Sequence, residues 1–133
     1  MGIEVQMLGW SIVLGLVQLL VADFAVTRER GLAWNVSARD GEAPPPGKVA
    51  ARLLRVQANF METFPFFAAA VLAVVLTQRQ DGLTALAAQL YFWARLVYVP
   101  LYAAGIPVLR SAVWMVSLAG IVLLVWVLLR ALA

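Results

Sequence analysis

The chain has 133 residues, of which 64% are apolar and only 13% charged, with a formal charge of +3 and neither cysteine nor histidine. Soluble domains carry roughly 25% charged residues, so this composition points to a one-domain membrane protein. It also excludes disulfides and the common zinc and haem ligand sets, and no metal site is expected. A pI near 10 does not imply nucleic acid, because the ten basic residues flank apolar runs instead of clustering on a soluble surface.

The first apolar run, Val5 to Ala22, carries no charge, and its head holds Glu4 with no lysine or arginine. It therefore reads as a retained helix over about 4–27, not as a secretory leader. Asp23 sits a turn inside its end, where it either neutralises an arginine or stays solvated at the headgroup level. The long connection that follows mixes Arg28, Arg30 and Arg39 with Glu29, Asp40 and Glu42, then runs into Pro44-Pro45-Pro46-Gly47, which halts any helix.

A second helix is expected over about 48–77. Its uncharged part, Thr63 to Thr77, is too short to span a bilayer, which takes about 20 residues. The span must therefore draw in residues from Val49 onward, and with them Arg52, Arg55, Asn59 and Glu62. Their spacing of three, four and three residues puts them on one helix face. A charge at the centre of a span costs roughly 2.5–3.5 kcal/mol, so that face must look at protein, water or a polar ligand.

After the turn Gln78-Arg79-Gln80-Asp81-Gly82, a third helix is predicted over about 82–105, interrupted only by Arg95. Beyond Gly105-Ile106-Pro107, a fourth is predicted over about 108–131, with Pro107 suited to its first turn. Short links join antiparallel neighbours, giving an all-α, integral membrane, up-down four-helix bundle. Trp10, Trp34, Trp93, Trp114 and Trp126 read as interfacial or packing groups.

The end with the first and third connections carries Arg28, Arg30, Arg39, Lys48, Arg52, Arg55 and Arg110, against Arg79 and Arg130 at the other. The positive-inside rule then makes the long loop cytoplasmic and puts both termini outside. At 1.5 Å per residue, Glu62 lies about 15 Å beyond Arg52, and Arg95 about 15 Å before Gly105 on a helix running the other way. The two share a depth, and an ion pair between them is expected. Nearer the surface Arg52, Arg55 and Arg110 converge with Tyr98 and Tyr102, a set of guanidinium forks and phenols suited to an anionic, partly apolar molecule. Snorkelling to lipid headgroups is the simpler role for the arginines at helix ends.

The run Arg52-x-x-Arg55-x-x-x-Asn59-x-x-Glu62-x-x-Pro65-Phe66, then Ala94-Arg95-x-x-Tyr98-x-x-x-Tyr102, then Leu109-Arg110-Ser111, resembles the membrane-associated proteins in eicosanoid and glutathione metabolism (MAPEG), and more closely their short bacterial branch. The resemblance implies a homotrimer in a bacterial inner membrane, with glutathione as co-substrate held between subunits near the cytoplasmic face. It implies that Arg55, Asn59, Glu62, Tyr98 and Tyr102 bind the tripeptide, and that Arg110, with Ser111 beside it, faces the sulfur. Gln57, Ala58 and Trp114 depart from patterns common among relatives, which carry His, Arg and Tyr there. The implied activity is a glutathione-dependent transferase or peroxidase acting on lipophilic electrophiles. A non-catalytic membrane subunit or lipid-binding scaffold of the same fold is the main alternative, and a small transporter the third.

Overall fold

The computed structural model describes residues 2–41 and 45–130. Glu42 and Pro44, expected in the first connection, and the last residue of the predicted fourth helix lie outside them.

All regular structure among the described residues is helical, in five elements: α1 (Ile3–Arg30), α2 (Leu32–Val36), α3 (Lys48–Leu76), α4 (Gly82–Ala103) and α5 (Pro107–Arg130). The fifth element corrects the expectation of four. Gly31, at φ 90°, ends α1, and the chain re-enters a helix for the five residues of α2 where only a loop was predicted. Helix α1, α3 and α5 are long and apolar enough to cross a membrane. Helix α4 has 22 residues but is interrupted by Gln89, Arg95 and three tyrosines and falls outside that group.

Contacts at the helix ends fix their directions. The Gly47 amide, just before α3, donates to Glu29 near the end of α1 at 2.8 Å. Arg52, near the start of α3, reaches the Ala103 carbonyl at the end of α4. Arg130, at the end of α5, meets Asp81 at the start of α4. The four long helices thus alternate in direction. Helix α1 turns a large apolar surface outward, with Leu20 and Phe24 67% and 68% exposed.

The core sits where α3, α4 and α5 meet. Phe67 stacks on Tyr91 with centroids 4.0 Å apart, and the Tyr91 hydroxyl lies 3.0 Å from that of Thr63. Gly120 lets α5 approach α4 backbone to backbone: a Cβ there would lie 2.6 Å from the Ala87 carbonyl oxygen and 3.1 Å from the Tyr91 nitrogen. Small residues serve this purpose where lipid removes the hydrophobic drive for helix association.

The end away from the arginine-rich loop is closed by a second polar cluster. Glu4 is buried, accepting from the Thr84 hydroxyl at 2.6 Å and from Gln80 at 3.4 Å. Asp81 caps α4, accepting from the Leu83 and Thr84 amides, each at 2.9 Å, and pairs with Arg130 at 2.7 Å. The Thr84 amide, with Leu83 and Arg130 adding to it, holds the Asp81 carboxyl below the ordinary aspartate range. A depressed folded value contributes stability above the unfolded value, lost as pH falls through the folded one. Unfolding profiles are therefore expected to lose stability below about pH 4, and Asp81→Asn, which can still cap α4, is expected to flatten that loss. Unchanged pH dependence in the variant would count against it.

Candidate functional site

The polar residues of α3, α4 and the start of α5 come together at the end opposite Glu4. Tyr102 is the hub. Arg55 Nε donates to its hydroxyl at 2.9 Å, and Arg110 lies over its ring with the guanidinium carbon 4.7 Å from the centroid. The Tyr102 ring meets that of Tyr98 at 5.6 Å, and Tyr98 in turn carries the Arg95 guanidinium at 4.3 Å. Cations and aromatic faces therefore alternate from the mouth of the helices into the span.

Arg95 ends this stack. It is 1% exposed, and its Nη1 donates to Asn59 Oδ1 at 2.8 Å. Phe60, a residue without an assigned site role in the sequence, also lies against the guanidinium, its ring centroid 5.7 Å from the guanidinium carbon. Nε and Nη2 of Arg95 are buried and have no hydrogen-bond partner among the described residues. Two nitrogens of a buried cation, with three N–H donors between them, are thus left unspent, a costly arrangement that commonly accompanies function.

The expected Glu62–Arg95 ion pair is not formed within the chain. The only ion pair among the described residues is Arg130–Asp81, and Arg95 turns to Asn59 instead. Glu62 stays near enough to act on Arg95 as a charge, but its side chain is exposed, flanked by exposed Met61 and Phe66. Depth arithmetic gives height along a helix but not direction around it. Glu62 and Asn59 differ by about 60° around α3, at 3.6 residues per turn, and the nearer face belongs to the amide.

The remaining residues divide. Arg52 donates to the Ala103 carbonyl at 3.2 Å and packs against Gly105, closing the C-terminus of α4. It is a capping residue in this chain and does not touch the tyrosine stack through any hydrogen bond. Ser111 is exposed, and its hydroxyl donates back to the Pro107 carbonyl at 3.1 Å. Arg110 makes no hydrogen bond or ion pair among the described residues, so its donors are available. Asp23 is exposed and pairs with no arginine; it lines a small polar cavity with Arg30, Trp34 and Arg39.

Arg55, Arg110 and Tyr102 form an electropositive mouth on three helices, leading to Arg95 and Asn59 deeper in the span. Such a site can hold an anion at the mouth and present donors inward. Residues 7–130 match the family described as the MAPEG family. The chain belongs to the MAPEG family. That family includes glutathione-dependent transferases and peroxidases as well as non-catalytic members. No curated protein matches this MAPEG chain. Helix α3, with Arg55, Asn59 and Glu62, and helix α4, with Arg95, Tyr98 and Tyr102, lie wholly inside the matched span, as does Arg110.

Proposed function

We propose that this MAPEG protein is a glutathione-dependent membrane transferase or peroxidase acting on lipophilic electrophiles. The observation that carries the reading is Tyr102 held between Arg55 and Arg110, two guanidiniums from different helices converging on one phenol. In this reading the four long helices form a bundle that assembles as a homotrimer in a bacterial inner membrane, with the long first connection cytoplasmic and both termini outside. Glu62, exposed at membrane depth without a hydrogen bond or ion pair among the described residues, supports a partner subunit on that face.

Glutathione brings two carboxylates, an ammonium and a thiol. Arg55, Tyr98, Tyr102 and the free donors of Arg95 suit the carboxylates, Asn59 the peptide groups, and Glu62 the ammonium. Arg110 is the cation for the sulfur. A thiol with pKa about 8.5 is only a few per cent ionised at neutral pH, and a nearby guanidinium raises that fraction. The thiol proton leaves to solvent, the thiolate sulfur bonds to an electrophilic carbon or a peroxide oxygen, and the electrons of the broken bond depart with the leaving group. Fixing both reactants supplies the orientation part of the rate.

Titration of the purified protein with glutathione is expected to give saturable heat at or below millimolar concentration, and Arg110→Ala to lower the turnover of an electrophilic test substrate by tenfold or more. No heat at millimolar glutathione ends the reading. The scaffold reading draws on Ser111, whose hydroxyl is bonded to its own helix and so does not serve a thiolate in this conformation. Ser111→Ala with unchanged activity leaves Arg110 as the single group at the sulfur.

A further inference from the structure

The loop end of α1 holds a polar cavity of about 250 Å³ whose lining includes Asp23 and Arg30 of α1, Trp34 and Asn35 of α2, Arg39 of the following loop and Leu54 of α3. No residue of the Tyr102 stack takes part in it. Sites for drug-sized ligands run to roughly 300–1,000 Å³, so this one suits a headgroup and not a whole amphiphile.

Its donors are largely uncommitted. Arg30 makes no hydrogen bond or ion pair among the described residues; its Nε is sealed off, but its two terminal nitrogens are not and keep accessible surface. The Trp34 indole N–H is likewise unsealed and without a partner among the described residues. Arg39 is held in place by α2: its Nε and Nη2 donate to the Asn35 carbonyl at 3.2 and 3.0 Å, Nη2 also donates to Asn35 Oδ1, and Nη1 is left over. Asp23 adds one carboxylate that forms no ion pair among the described residues. Two guanidiniums and one carboxylate leave a single positive charge for a ligand to match.

The other side of α2 is apolar. Leu32 and Val36, one helical turn apart, are 68% and 77% exposed. They follow directly on Gly31, where the membrane-capable α1 ends. An exposed apolar pair at the end of such a helix belongs at the acyl boundary, with the polar cavity beside it at headgroup level.

The geometry points to a lipid site, separate from the glutathione site proposed above, in which this cavity takes the phosphodiester of a membrane phospholipid. The phosphate oxygens accept from Arg30, Arg39 and Trp34, and the acyl chains leave past Leu32 and Val36. The cavity's one net charge matches the one charge of a diester. A phosphate monoester, at about −1.5 to −2, brings a second charge toward Asp23. A diacylglycerol has no phosphate to meet the free donors. A phosphodiester without chains makes the same hydrogen bonds but gains nothing from the apolar side of α2.

The full chain is reconstituted in nanodiscs containing phosphatidylglycerol, phosphatidic acid and diacylglycerol in equal amounts and released in mild detergent, and the lipid held per chain is counted by native mass spectrometry. Phosphatidylglycerol is expected to be retained ahead of the other two, and glycerophosphoglycerol, its headgroup without chains, not to displace it at equal concentration. Arg30→Gln is expected to lower retention by about tenfold or more, the scale of lost hydrogen bonds to a charged group. Arg28→Gln removes the same charge from an exposed residue that does not line the cavity, and is expected to change retention by less than about twofold. Leu54→Trp fills the cavity with every charge intact and is expected to abolish retention with helicity unchanged. Equal losses in Arg30→Gln and Arg28→Gln overturn the proposal, because they mark a general attraction of anionic lipid to a basic helix end. So does undiminished retention in Leu54→Trp, phosphatidic acid or diacylglycerol held as well as phosphatidylglycerol, or displacement by the headgroup alone. None of these readouts depends on glutathione.

Discussion

Gly120→Ala is expected to cost about 3 kcal/mol, the upper part of the range for overpacking, although it adds one methyl group. The new Cβ meets the Ala87 carbonyl and the Tyr91 amide, atoms of a helix backbone that cannot swing aside like a side chain tip. Relief comes only by moving α5 away from α4. Arg110 lies ten residues earlier on α5, about 15 Å along it, so the same displacement pulls its guanidinium off the Tyr102 ring. Thermal unfolding in detergent and glutathione titration are both expected to weaken together. Gly9→Ala is the matched control. Nothing lies within 4 Å of a Cβ there, and it is expected to be neutral or slightly stabilising through helix propensity. Equal midpoints for the two variants would remove the close-packing account.

The second large effect concerns Arg95. Asn59→Leu removes the one hydrogen-bond acceptor that the buried guanidinium has among the described residues, and is expected to destabilise by about 2–3 kcal/mol, the scale of a hydrogen bond to a charged group. Replacing Arg95 by Met as well removes the stranded charge and is expected to recover most of that loss. A double-mutant cycle read by thermal unfolding checks this. If Asn59→Leu and Arg95→Met simply add, the two side chains do not act as a unit. Because Arg95 also stacks on Tyr98, the single Arg95→Met variant is expected to lower glutathione affinity more than it lowers stability.

The long helices could be read from the sequence because apolar runs of span length leave few other options, and Pro107 and Gly82 mark where α5 and α4 begin. Helix α2 could not, since five residues hold too few hydrogen bonds to leave a propensity signal. At the site, the stripe of Arg55, Asn59 and Glu62 was legible as one face, and so was its meeting with Tyr98, Tyr102 and Arg110 at one end. The choice of Asn59 over Glu62 as the partner of Arg95 was not, because it depends on rotation around two helix axes at once. Phe60 was hidden for a related reason: an aromatic among apolar neighbours looks like packing until a cation lies over it. The buried stripe of α1 did carry a usable signal. Glu4, Ser11 and Gln18, all buried, share that face with Leu8, Leu14 and Ala22, and their spacing of seven residues marks the side turned to protein, although Gln6 and Asp23 are exposed.

The bond from Arg95 to Asn59 also has a bearing on how the polypeptide enters the bilayer during synthesis. In the proposed arrangement of four spans, α4 released alone would carry a guanidinium into hydrocarbon with nothing to meet it, at roughly 2.5–3.5 kcal/mol on insertion scales. The amide that receives it lies on α3, which leaves the ribosome first and is tied to α4 by only the residues from Thr77 to Asp81. The two segments are thus suited to leave the translocon as a hairpin, the earlier one shielding the charge of the later.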